Sequence, residues 1–229
     1  LWGWGTPAGK IRARRRAELI ATGAQLGRGK RVLEIGCGTG MFSEMFSKTG
    51  AQLVAVDISA DLLEKAKSRC LPEGQVHFHK KAFEDCDVDG PFDAVIGSSV
   101  LHHLDFEQAL SKMYDLLKPG GIVSFAEPNM LNPQVFIERR FRKFFPYVSP
   151  DETAFVRWGL RDAFLKAGFE RVKTIPFDYL HPATPVVMIN LVKALGACLE
   201  KAPLLREFAG SLYVCASRPL KGCNSGNNK

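Results

Sequence analysis

The 229-residue sequence has no CxxC pair, no GKS or GKT, no histidine–cysteine cluster at metal-ligand spacing, no internal repeat and no apolar run of membrane-spanning length. Each absence removes a class of protein. Six cysteines, at 37, 70, 86, 198, 215 and 223, are scattered along the chain. That pattern argues for reduced thiols in a cytosolic compartment and against structural zinc or any other metal centre. The longest apolar stretch, residues 185–199, is broken by Asn190 and Lys193 and falls short of the roughly 20 residues a span needs. It reads as a core or lid helix. There is no initiator Met and no basic segment leading into an apolar core, so export is unsupported and a cytoplasmic chain is expected. The missing P-loop lysine disfavours a Walker-type nucleotide site.

What is present fits one globular domain. Hydrophobic residues make up 46% and charged residues 24%, enough for a full core at this length. The net charge of +7 gathers at residues 10–16 (KIRARRR), 28–31 and 138–143. Without interleaved aromatics or an RNA-binding signature, the first cluster reads as a solvated helix face, and nucleic acid is a disfavoured partner. Residues 135–147 (VFIERRFRKFFPY) place Ile137, Phe141 and Phe144 or Phe145 on one helical face and Arg139, Arg140, Arg142 and Lys143 largely around the other. Two readings stay open: a lid helix with a charged outer side, or weak peripheral contact with an anionic membrane.

Short apolar runs at 31–35, 52–56, 76–78, 92–96 and 121–125 alternate with helix-like stretches at 41–48, 60–69 and 106–117, after a leading helix at 11–26. This alternation predicts an α/β fold: a doubly wound, mostly parallel sheet with helices on both faces. Asp105 is an N-cap candidate, and residues 118–121 (KPGG) stop one helix and turn into the next strand. Prolines then break the chain into shorter pieces, with a further helix expected at 152–167 and closing strands at 169–177 and 212–217. The polar tail 221–229 has too little apolar content to fold.

Gly36, Gly38 and Gly40 follow the first run and open a helix. A strand exit stripped of Cβ atoms lets a flat ligand lie on the backbone before the helix amides, so a nucleotide-like ligand is favoured. The dinucleotide pattern GxGxxG would need glycine where Met41 stands, which disfavours a nicotinamide oxidoreductase. Asp57 closes the next strand about 20 residues on, where a carboxylate can accept ribose hydroxyls.

The set ExGxGxG at 34–40, Asp57 in VAVDIS, FDAVIGSSVLHHL at 92–104 and LLKPGGIVSFAEP at 116–128 resembles the class I S-adenosylmethionine-dependent methyltransferases, in order and at the usual distances. The resemblance covers about residues 31–127 and implies that family's fold, with a helical lid in the C-terminal half. The implied layout is one domain over 1–220, with a cofactor half at 27–127 and a substrate-covering half at 128–211. It implies S-adenosylmethionine as cofactor, leaving as S-adenosylhomocysteine. Gly36, Cys37 and Gly38 would lie against its methionine and ribose portions, Glu34 would reach the amino group, Asp57 would hold the ribose, and Ile58 would cover the adenine. Where the family often has an aspartate at the adenine edge, this chain has Lys81, so backbone groups of Ala82 and Phe83, or Glu84, would serve. Ser98 would offer a carbonyl beside the methionine group, and one arginine of residues 10–16 could pair with the cofactor carboxylate.

For catalysis His103 is the candidate base, against a structural role for it and for His102; Glu127 either projects toward the site or closes a turn. In-line transfer from an activated sulfonium needs alignment and at most one base. The expected activity is therefore methyl transfer to a small or lipid-like acceptor, at oxygen. Tyr147, Asp178, Tyr179 and His181 are polar candidates in the covering half. The alternatives are a non-catalytic S-adenosylmethionine-binding regulator and an RNA or protein methyltransferase.

Overall fold

The computed structural model describes residues 3–144 and 154–220. The chain opens with α1 (Pro7–Gly23), started by Thr6, whose Oγ1 accepts from Gly9 N at 2.9 Å, and by Pro7 in the first turn, where its missing N–H costs nothing. Strands and helices then alternate: β1 (Arg31–Ile35), α2 (Met41–Ser47), β2 (Gln52–Asp57), α3 (Ala60–Lys67), β3 (Val76–Lys80), β4 (Phe92–Ser98), α4 (Phe106–Leu116) and β5 (Leu117–Pro128). The chain then adds α5 (Pro133–Arg140), α6 (Arg157–Lys166), β6 (Glu170–Phe177), α7 (Ile189–Leu199) and β7 (Ser211–Ser217).

The seven strands order as β3-β2-β1-β4-β5-β7-β6. The first five run parallel, while β7 lies antiparallel between β5 and β6. Strand order reverses between β1 and β4, and at such a switch point the helices leave a crevice at the strand C-termini. Ile35 ends β1 opposite Val56 and Gly97, so the glycine loop emerges between the tips of β2 and β4.

Alternation along the strands fills two cores. Val32 packs with Ile20, Phe46, Leu53 and Ile96 beneath α1 and α2. Its neighbour Leu33 faces the other way, with Phe92, Met113, Phe125 and Phe164 beneath α4 and α6. Phe46, Phe92, Phe125 and Phe164 are fully buried, each contributing about 1.5–3 kcal/mol relative to exposure.

Several expectations are corrected. The basic cluster in α1 is not a solvated face: Arg16 is buried, and Arg12 Nε lies 2.6 Å from Asp178 Oδ2. The helix expected at 152–167 begins at Arg157, because Phe155 instead forms a bridge to Asn129 beyond β5. The helix expected over 135–147 ends at Arg140 and passes into a 3-10 turn at Arg142–Phe144, with 145–147 outside the described residues. Arg139, placed by periodicity among the solvated charges, is buried. Residues 185–199 form a 3-10 turn (Val186–Met188) and α7, but only Ile189 and Gly196 of that helix are buried, so it is not a core helix. Tyr147 and the tail 221–229 lie outside the described residues.

Candidate active site

Gly36, Gly38 and Gly40 have φ of 67°, 53° and 69°, in the left-handed region that favours glycine. A Cβ on Gly36 would come within 2.5 Å of Val100 Cγ2, whereas one on Gly38 would meet nothing within 4 Å. Gly36 is thus required by packing, while Gly38 leaves open space above the backbone. Gly36 N and Cys37 N donate to Val56 O, and Gly38 N donates to Asp57 Oδ2 at 2.7 Å. Ser59 N donates to Oδ1 at 2.9 Å. Asp57 is therefore locked at the tip of β2 facing the loop, and Ile58 beside it is 70% exposed, an apolar platform at the same edge.

Beneath the loop Glu34 is buried, and its Oε2 makes no hydrogen bond among the described residues. Burial, together with the nearby Asp57 carboxylate, pushes its carboxyl up to about 7. Cys37 is buried as well, and burial keeps its thiol protonated. A buried carboxylate oxygen with no donor, an open glycine and an exposed platform beside a fixed carboxylate suit a ligand bearing an amino group, a ribose and a flat base.

Where an adenine edge is expected, Lys81 N donates to Asp57 O at 3.0 Å, and its ammonium pairs with Asp87. Glu84 Oε1 accepts from Asp105 N, so its carboxylate is engaged ahead of α4. Ala82 is half-buried and the Phe83 ring lies in the core, leaving the backbone there as the edge.

The exit of β4 is held from below. Glu127 is wholly buried; its Oε1 accepts from Val100 N at 3.0 Å and Leu101 N at 3.1 Å, and its Oε2 lies 2.6 Å from His102 Nδ1. The carboxylate thus braces the 3-10 turn Leu101–His103 rather than facing open space. His103 is exposed, its ring 4.1 Å from that of His102.

Sequence reasoning missed Arg16 as a particular residue. Its Nη1 donates to Ser99 Oγ (2.7 Å), Ser98 Oγ (3.2 Å) and Ala126 O (3.2 Å), and its Nη2 donates to Ser211 Oγ (2.5 Å). Every one of these acceptors is neutral, and Nε has no partner among the described residues. Burial, then the neighbouring Arg12, lowers its pKa to about 10. The signal was available: Arg16 falls within the buried stripe Ala13, Ala17, Ile20 of an amphipathic helix, a position where a charge needs a reason. Trp4 lies over it at 5.3 Å and meets Phe42 edge-on.

Arg16 also borders a cavity of about 430 Å³ between the start of α1, α5 and residues 178–183. The cavity reaches Ser99, Pro128 and Ser211 at the edge where β4 and β5 end and β7 begins. A larger, open groove of about 820 Å³ runs beside β3 and includes His77 and His79, away from the glycine loop. Among the described residues no group of histidine, cysteine or acidic side chains is placed to hold a metal ion.

Sheet order, loop and carboxylate together define an α/β fold whose crevice where β1 ends suits an adenosine-bearing ligand. Residues 32–121 match the family described as "Methyltransferase domain". That match and the fold support a class I S-adenosylmethionine-dependent methyltransferase with S-adenosylmethionine as cofactor. It is 36% identical over 110 residues to the ubiquinone biosynthesis O-methyltransferase of Xanthomonas euvesicatoria, over 46% of each chain. With the protein of that name from Xylella fastidiosa it shares 37% over 97 residues, 41% of this chain and 39% of the other. The match thus spans less than half the length of these curated relatives. In fold it is similar to an S-adenosylmethionine-dependent methyltransferase from Archaeoglobus fulgidus (TM-score 0.62, 24% identity, 91% and 92% coverage). It is also similar to a chain from the complex of the Haloferax volcanii Trm112 methyltransferase activator with a putative methyltransferase (TM-score 0.71, 18% identity, 96% of each chain).

Proposed function

We propose that this chain transfers a methyl group from S-adenosylmethionine to an oxygen of a small, lipid-like acceptor held in the cavity beside Arg16. The observation that carries this reading is the position of that cavity, which meets Ser99 just past β4, the neighbour of Val100, whose side chain packs against Gly36 of the glycine loop. Relatives named ubiquinone biosynthesis O-methyltransferase support oxygen as the acceptor atom. When bound, S-adenosylmethionine would supply an activated methyl group: an acceptor oxygen would bond to the methyl carbon in line as its bond to sulfur breaks, leaving S-adenosylhomocysteine.

The chain's own groups then have assigned tasks. Glu34 receives the amino group, which gives its orphaned oxygen a donor. Asp57 takes the ribose hydroxyls, the Ile58 side chain covers the base, and backbone of Ala82 and Phe83 meets its edge. Ser98 offers its carbonyl beside the methionine portion, and Arg16 takes the carboxylate, a partner that none of its neutral acceptors supplies. His103, exposed on the braced turn, is the candidate to draw the acceptor proton, with Glu127 and His102 positioning that turn.

The test is thermal shift with S-adenosylhomocysteine, followed by a methylation assay over hydrophobic phenols and alcohols. Stabilisation with methylated product is expected, since a ligand bound only to the native state raises the midpoint. Stabilisation with no product across phenol, amine and RNA acceptors would make the chain a cofactor-binding protein instead.

A further inference from the structure

The outer surface of residues 186–208 leaves large apolar side chains in water. Val187 is 91% exposed, Leu204 81%, Val186 67%, Leu191 56% and Leu195 55%. Lys193 is the only charged residue between 186 and 199. One exposed leucine needs no explanation, but a run of them from the turn before α7 to the turn after it does.

The charges around the patch decide its partner. Lys193 and Lys201 are exposed. The nearby acids are engaged: Glu200 by Arg15, and Glu207 by Arg157 and Arg206. A second copy would bring the same lysines against each other, whereas anionic headgroups would neutralise them while the side chains enter the acyl boundary. At eleven residues, α7 is about 16 Å long, too short to cross a bilayer and suited to lying in its surface. Among the described residues no helix is long and apolar enough to cross a membrane.

The same helix is the outside of the cavity wall. Ile189 packs on Leu180, a Cβ on Gly196 would lie 3.1 Å from Tyr179 Cβ, and the Tyr179 hydroxyl donates to Leu205 O. Leu180 and Tyr179 line the cavity. The opposite wall, α5, also shows exposed Phe136 and Ile137, and its base is tied to this segment by Asn132 Nδ2 donating to Phe208 O at 2.8 Å.

We propose that the outer face of residues 186–208 docks on an anionic lipid bilayer, so that an apolar acceptor enters the cavity from the membrane. The delivery step rests on the acceptor reading above; the docking does not, and can be measured without turnover. The experiment is sedimentation of the full chain with vesicles of phosphatidylcholine alone and of phosphatidylcholine with phosphatidylglycerol. Binding to the anionic vesicles is expected, about tenfold or more weaker in Leu191→Asp/Leu195→Asp and, separately, in Val187→Asp, with S-adenosylhomocysteine affinity unchanged as the control for folding. Lys193→Glu/Lys201→Glu should abolish the preference for anionic vesicles. No vesicle binding, binding indifferent to these substitutions, or a dimer in light scattering that Leu195→Asp dissolves would overturn the proposal. Methylation of a soluble acceptor in any of those cases would leave the proposed activity standing.

Discussion

Glu34 is where a single residue couples ligand binding to pH. Its carboxyl titrates near 7 in the folded chain against an ordinary value of 4.5, because burial disfavours the charge. Raised above the unfolded value, it holds its proton in the native state between about pH 4.5 and 7. Its contribution to stability is fully present below that window and is lost as pH rises through it, about 3 kcal/mol in all. Glu34→Gln should flatten the fall in melting temperature between pH 5 and 8. A cationic amino group favours the ionised form, so S-adenosylhomocysteine should bind with proton release at pH 6 and tighten as pH rises to about 7. Calorimetry at pH 6 in buffers of different ionisation enthalpy reads that proton directly, and a zero slope would remove Glu34 from the amino group. Asp57→Ala should weaken the same ligand by about 1–3 kcal/mol, the worth of hydrogen bonds to a charged acceptor. Unchanged affinity would take Asp57 out of the ribose site.

At the scale of elements, the turn after β4 depends on one carboxylate. Glu127→Ala would leave Val100 N, Leu101 N and the His102 ring without their buried acceptor. Unfolding in urea should show a loss of about 3–5 kcal/mol, the usual result of removing one member of a buried polar pair. His103→Ala, on the exposed side of that turn, should lower turnover by roughly 10² to 10⁴ while cofactor affinity holds. Wild-type turnover in that variant would leave the imidazole a structural role. Elements whose ends are written locally were legible: β1 matched Arg31–Ile35, and Asp105 does cap α4, its side chain accepting from Gln108 N. Those set by distant contacts were not. Nothing near Phe155 announces that it will leave a helical pattern to bridge Asn129, and periodicity sets Arg139 among the solvated charges although it is buried at the cavity wall. The glycine turn was readable because what it needs, positive φ at Gly36, Gly38 and Gly40, is written in adjacent residues. The cavity was not, being assembled from α1, α5 and the segment after β6.

For the whole molecule the same distinction shows in how its two halves are joined. The arginines of α1 read as surface charge because their partners, Asp178, Glu200 and Ser211, lie more than 150 residues away. In the fold they clasp the N-terminal helix, which packs on α2, β4 and β5, to the segment from Asp178 to Ser211. The clasp is uneven. Arg12 and Asp178 have side chains only 14% and 3% exposed, so Arg12→Ala strands a buried carboxylate and should cost about 3–5 kcal/mol. Arg15 is 43% exposed, and despite its two hydrogen bonds to Glu200, Arg15→Ala should cost no more than about 1 kcal/mol. For a chain of this size each kcal/mol moves the melting temperature by about 2–4 °C, so the first variant should melt well below the wild type and the second close to it. Equal shifts in the two variants would mean that burial of the Arg12 pair does not govern how α1 is held. S-adenosylhomocysteine should raise both midpoints by a similar amount, because the proposed cofactor contacts include neither arginine.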